Sequence, residues 1–229
     1  MKQSIKLVVL QVFSILLGFV SVFWVAGSLP SEEYAIVGVY NIISTLILVF
    51  SNTGVETVGI RNILTWKDEG NLVEIKLLVT QAITYRAIIS GVLFLPLLGY
   101  LFYLSIHKFD GNYFGLFVLM GMLSIPKAIN DTTVLILKAF NKYFAAVLVT
   151  YTVSVFGKIL ALILYVKYGF TFYIYTLMLL PLFINLPVIY MLKKHICFKG
   201  VFNLKNFKKI FKESKYFAFS SYISYVFNF

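Results

Sequence analysis

Six apolar stretches, each near the length that crosses a bilayer, follow one another along this chain with only short polar links between them. A hydrocarbon core takes about 20 apolar residues per helical span. The runs are Leu7 to Ser28, Ala35 to Thr53, a stretch inside Leu77–Leu104, Tyr113 to Leu137, Phe144 to Val166 and Phe170 to Leu192. A seventh begins near Tyr216. Of the 229 residues, 60% are apolar and 13% are charged. Soluble domains carry about 25% charged residues, so a soluble enzyme, a disordered chain and a disulfide scaffold are all excluded. The first run begins with Lys2 and Lys6 and ends at Ala26-Gly27-Ser28, as a signal peptide would. Its apolar part exceeds the usual ~7–15 residues, and further spans follow. The expected fold is an all-α polytopic membrane bundle of six transmembrane helices plus the start of a seventh.

The distribution of Lys and Arg orients the bundle. With the N-terminus inside, fifteen of the twenty basic residues fall on inner segments and two, Lys108 and Lys167, on outer links. Arg86, Lys127 and Lys158 remain within spans. The net charge of +11 therefore reads as topology and attraction to anionic lipids, not as nucleic-acid binding. The organisation is a six-helix lobe over 1–192, a basic linker over 193–215 and the start of a seventh span over 216–229. In the linker, Leu204, Phe207, Ile210 and Phe211 share a helical face, with Lys205, Lys208, Lys209 and Lys212 elsewhere. It reads either as an amphipathic helix in the inner interface or as a solvated positive-inside loop.

Charge inside a span is costly and usually faces a bundle interior or water. Lys127 lies 14 residues after Tyr113 and 11 before Lys138, near the midplane of the fourth span. Asp131 follows on the same face, with Asn130 beside it and Pro126 before it. The alternatives are a water-filled lumen and a Lys–Asp pair that only packs helices. Polar character over more than one turn of Ile125–Thr133 favours the lumen. Lys158 lines the same interior or snorkels outward, and Arg86 lines it or snorkels at the inner end of its span. Glu56 and Arg61 close the second span on the inside and are weaker candidates, with local pairing their commoner fate. Three cations against one deep carboxylate predict a basic interior suited to an anionic cargo. Pro126, Pro181, Pro187 and several glycines mark points where spans bend.

Catalytic chemistry is not expected. No Gly-rich phosphate loop is present. His107 and His195 fall on opposite faces of the membrane, so they make no metal site together. Asp68-Glu69 lies in an ordinary polar link. The chain reads as a non-enzyme without cofactor or metal.

Several stretches carry a resemblance. Gln11-Val12-Phe13-Ser14 leads to Leu29-Pro30-Ser31-Glu32-Glu33-Tyr34; Thr53-Gly54-Val55-Glu56 is followed by Arg61; Pro126 and Asn130-Asp131 precede Lys138-Ala139-Phe140-Asn141-Lys142. Together with span order and link lengths, these resemble the polysaccharide-exporter (O-antigen flippase, Wzx-type) branch of the multidrug/oligosaccharidyl-lipid/polysaccharide (MOP) exporter superfamily. Ala35 departs from the Gly that often follows the Tyr in that family. The resemblance implies the N-terminal lobe of a two-lobe, MATE-like fold, so the chain reads as truncated or partial. It also implies a flippase moving an undecaprenyl-pyrophosphate-linked oligosaccharide across the bacterial cytoplasmic membrane for surface polysaccharide synthesis. The implied partners are the lipid-linked oligosaccharide and polysaccharide polymerase machinery. Lys127, with Arg86 and Lys158, would attract pyrophosphate or acidic sugars, and Asn130 and Asp131 would line the path. The alternatives are a cation-coupled multidrug exporter of the same superfamily and a non-functional fragment.

Overall fold

In hydrocarbon no water satisfies the backbone, so a chain of long apolar runs closes its hydrogen bonds within helices. The computed structural model describes residues 2–52, 54–108, 113–197 and 204–227, and all regular structure among them is helical. The helices are α1 (Lys2–Ser28), α2 (Ser31–Phe50), α3 (Val55–Asp68), α4 (Leu72–Lys108), α5 (Phe114–Ala139), α6 (Tyr143–Tyr151), α7 (Gly157–Tyr168), α8 (Phe170–Leu192) and α9 (Leu204–Phe227). A π-helical segment, Thr152–Phe156, joins α6 to α7, and a 3-10 turn, Lys193–His195, follows α8.

Five units are long and apolar enough to cross a membrane: α2, α4, α5, the continuous α6–α7 unit and α8 with its 3-10 turn. The protein is therefore a multi-pass membrane protein. The expected first span is helical over Lys2–Ser28, with a shorter apolar stretch at Ile15–Ser28.

Two elements differ from expectation. The polar link expected at Asp68-Glu69 is preceded by a helix, α3, whose Val58 and Ile63 find cover against the bundle. Asp68 is its last residue. Gly70, at φ +71°, ends it by a Schellman motif: the Asn71 N–H donates to the Trp66 carbonyl at 2.8 Å and the Gly70 N–H to Lys67 at 3.3 Å. The end of α5 repeats this arrangement with Asn141 at φ +59°, and the Lys142 N–H donates to the Leu137 carbonyl at 2.9 Å. Secondly, α9 runs without interruption across residues 215 and 216. The helix expected in the linker and the start of the seventh apolar stretch are thus one helix. The side chains of Leu204, Phe207, Ile210 and Phe211 lie outside the described residues, and with them the expected amphipathic face.

Helix α5 is the hub, packing against α2, α3, α4, α6 and α8. Its approach to α4 is set by Gly121, where an added Cβ would collide with the Phe94 ring. Two apolar cores form. One, around Ile36, Ile43, Phe94, Phe117, Met120 and Tyr173, fills the half of the bundle away from the lysine-rich ends. The other, around Ile63, Ile75, Leu78, Val134, Leu137 and Val188, fills the lysine-rich half. A belt of buried polar residues, Ser44, Arg86, Ser90, Ser124, Asn130 and Asn185, interrupts this apolar packing. Burying polar groups is favourable only where they find partners, so this belt is the place to look for function.

Candidate functional site

Helix α5 brings Lys127, Asn130 and Asp131 to one wall of a cavity of about 240 Å³ at the level of the polar belt. Tyr40 and Asn41 of α2, Thr150 of α6, Ser154 of the π segment and Lys158 of α7 complete its polar lining. The wider i→i+5 turn of a π segment re-phases the residues beyond it. Here Thr150, Ser154 and Lys158 all face the same cavity across that segment. Four of the residues expected at the site, Lys127, Asn130, Asp131 and Lys158, are thus brought together.

The Lys127 ammonium lies 5.5 Å from the centroid of the Tyr40 ring, within cation–π range. Lys127 is also within electrostatic reach of Asp131, four residues on, and of Lys158 across the cavity. Asp131 is the most open of the three, and both lysines are half-buried. Both lysines line this one cavity.

The local shape of α5 is held from α8. Pro126 interrupts the helical hydrogen-bond ladder. The Asn185 side-chain amide donates to the Pro126 carbonyl at 2.7 Å, and the Asn130 amide donates to the Asn185 carbonyl oxygen at 3.1 Å. Asn130 and Asn185 are 2% and 4% exposed. Asn130 therefore lines the cavity while its amide is committed to positioning α5 against α8. Nearby, Thr133 donates to the Asn130 backbone carbonyl at 2.8 Å, and Ser44 and Ser124 pair at 2.9 Å between α2 and α5.

Arg86 is placed elsewhere. It is 5% exposed, and its guanidinium donates to the Leu48 carbonyl at 2.7 Å in the last turn of α2, where a cation meets the negative end of the helix dipole. It lines a second cavity of about 180 Å³ with Asn52, Thr132 and Leu135. Of the expected alternatives, snorkelling and a cavity role, Arg86 is seen lining a cavity, separate from the one that Lys127 lines. Asp131 lines both cavities and is the link between them. Arg61 lies exposed on α3 and lines neither cavity, because the turn that starts α3 carries it away from the bundle interior. The Glu56 side chain lies outside the described residues, so its expected pairing with Arg61 does too.

Tyr40, Asn41, Thr150, Ser154 and Asn185 were not among the sequence-derived candidates. Asn185 carried a signal: it is the polar residue in the run between Pro181 and Pro187. Tyr40 carried none, since a Tyr in an aromatic-rich span is unremarkable.

Among the described residues no group of three His, Cys, Asp or Glu side chains is arranged to hold a metal ion. The cavity instead offers two ammonium groups on different helices, flanked by amide and hydroxyl groups, which suits an anion. Its volume lies below the ~300–1,000 Å³ of whole small-molecule sites, so it fits a charged head group. Comparison with protein-family models, curated proteins and solved structures gives no match.

Proposed function

We propose that the chain is the N-terminal lobe of a flippase that moves a lipid-linked oligosaccharide, carried on undecaprenyl pyrophosphate, across the bacterial cytoplasmic membrane. The observation that carries this reading is the pair Lys127 and Lys158, held on separate helices around a cavity of about 240 Å³ beside an apolar core. Two cations against the one carboxylate of Asp131 leave a net positive charge there that an anion can use. The proposed arrangement has six spans, the N-terminus on the cytoplasmic side and the lysine-rich ends against anionic lipid. A second, matching lobe completes the cavity wall, and polysaccharide polymerase machinery takes the exported unit. The work is binding and translocation, without covalent chemistry. Cation-coupled drug export has less support, because among the described residues Asp131 is the single acidic one lining either cavity.

The test is charge reversal at the cavity. Lys127→Glu abolishes export of the lipid-linked unit, read as loss of surface polysaccharide, while the protein still inserts in the membrane at wild-type level. Normal export by an inserted Lys127→Glu protein overturns the reading.

A further inference from the structure

Asp131 is the single residue of opposite charge shared by two basic compartments. On one side are Lys127 and Lys158, around the larger cavity. On the other is Arg86, in the smaller one with Asn52 and Thr132. The three cations come from α4, α5 and α7, and among the described residues they are the charged side chains lining the two cavities besides Asp131. Asp131 is exposed where the cations are half-buried or buried, and it borders both groups of cations. Arg86 is already anchored by the Leu48 carbonyl and stays in place whichever way Asp131 faces.

We propose that Asp131 is an exchangeable counter-ion. It neutralises the lysine pair while the larger cavity is empty, and turns to Arg86 when an anionic group of the cargo occupies that cavity. The physical reason is that an ammonium pair in a low-dielectric interior needs compensating charge at every stage. A carboxylate that yields its place keeps the lysines neutralised when empty and keeps itself neutralised when displaced. The displaced carboxylate would otherwise sit beside the incoming anion, a like-charge pair in a region of weak screening. Arg86 then acts on anion binding without touching the anion. The inference rests on the reading of the larger cavity as an anion site.

The test is a double-mutant cycle on the purified protein in nanodiscs, with inorganic pyrophosphate as the probe and calorimetry as the readout. Asp131→Asn keeps the side-chain shape and removes the competitor, and it is expected to tighten pyrophosphate binding about tenfold, ~1.4 kcal/mol. Arg86→Met is expected to weaken binding in the wild-type background and to have no effect in Asp131→Asn. Arg86→Lys, which keeps the charge, retains near wild-type binding and controls for misfolding at this buried position. If Asp131→Asn leaves affinity unchanged, or Arg86→Met weakens binding equally in both backgrounds, the exchange is overturned while the anion site stands. If no variant and no wild-type protein binds pyrophosphate, the anion site itself falls and the exchange with it.

Discussion

Asn185 of α8 reaches across to α5 and donates its amide to the carbonyl of Pro126 at 2.7 Å, one residue before the lysine that the cavity is built around. Its oxygen meanwhile accepts the Asn130 amide at 3.1 Å. One side chain thus fixes both the turn that aims Lys127 and the residue next to Asp131. The polar pair at the heart of α5 is positioned by a residue 55 or more positions away in the chain.

Removing that clamp takes from the buried Asn130 amide its Asn185 partner and from the Pro126 carbonyl its inter-helix bond. Hydrogen bonds between membrane helices contribute about 0.6 kcal/mol, up to ~1.7, and an orphaned buried polar group adds a further penalty. Asn185→Leu is expected to lower stability by about 1–3 kcal/mol in a thermal or denaturant melt in detergent. The double variant Asn130→Leu/Asn185→Leu should lose less than the sum of the two single changes; strict additivity would show that the two amides act independently.

Gly54 stands at φ +72° directly beneath α9, where an added Cβ would come within 3.0 Å of the Ala218 nitrogen and 3.2 Å of the Phe217 Cβ. Left-handed backbone costs a residue with a Cβ about 1–2 kcal/mol. Gly54→Ala is expected to loosen α9 from the corner between α2 and α3. A cysteine placed at buried Ser214 then reacts faster with a maleimide. Gly54→Asn separates the two causes, since Asn tolerates the angle but still carries the Cβ. Fast labelling in both variants assigns the effect to contact, and fast labelling in Gly54→Ala alone assigns it to the angle.

The same helix is held by the Tyr222 hydroxyl, which donates to the Asn52 carbonyl at 2.8 Å and lies 3.2 Å from that of Phe50. Its ring also rests 5.4 Å from that of Phe50. Tyr222→Phe keeps the ring contact and removes the hydroxyl. We expect a loss of about 0.5–1.5 kcal/mol, with labelling at position 214 raised less than by Gly54→Ala. An unchanged melt and unchanged labelling would mean that the ring alone holds α9.

Gly121 admits the Phe94 ring between α4 and α5. Gly121→Ala forces the two helices apart and is expected to cost about 1–3 kcal/mol by overpacking. Phe94→Leu in the same chain should recover part of that loss. If the pair is no more stable than Gly121→Ala alone, the collision is not with the ring.

Tyr40 carries its face to Lys127 at 5.5 Å. Tyr40→Phe keeps a π surface there, and Tyr40→Leu removes it. A partly desolvated cation–π contact is worth roughly 0.5–2 kcal/mol. Pyrophosphate affinity is therefore expected to change little in Tyr40→Phe and by about 2–30-fold in Tyr40→Leu. Equal behaviour of the two variants in the calorimeter would remove the ring from the site.

Much of this site could be read in advance at α5. Lys127 and Asp131 announce themselves because charge inside an apolar run has few uses, and their four-residue spacing places them on one face of a helix. Lys158 was visible for the same reason, although its alternative at the interface was not decided by spacing. Arg86 was visible as a charge but not as the occupant of a separate compartment, since nothing in its own span tells which carbonyl it will meet. Helix α3 was not legible because Val55–Asp68 is short and mixed in polarity, and its buried Val58 and Ile63 gain by helix formation only once α4 and α5 are there to cover them.

The sequence by itself determined that this is a multi-pass membrane protein of helices, which polar residues lie inside its spans and which links carry the lysines. These follow from local quantities: apolar run length, the four-residue turn and the absence of water to satisfy a bare backbone. Only the tertiary structure decided that Lys127 and Lys158 share one cavity, that Arg86 lies in another, that Asp131 borders both and that Asn185 sets the shape of α5. Each of these is a meeting between helices far apart in the chain. Which face of one helix meets which face of another depends on packing details such as Gly121 against Phe94 and the re-phasing turn at Thr152–Phe156, which no local pattern records.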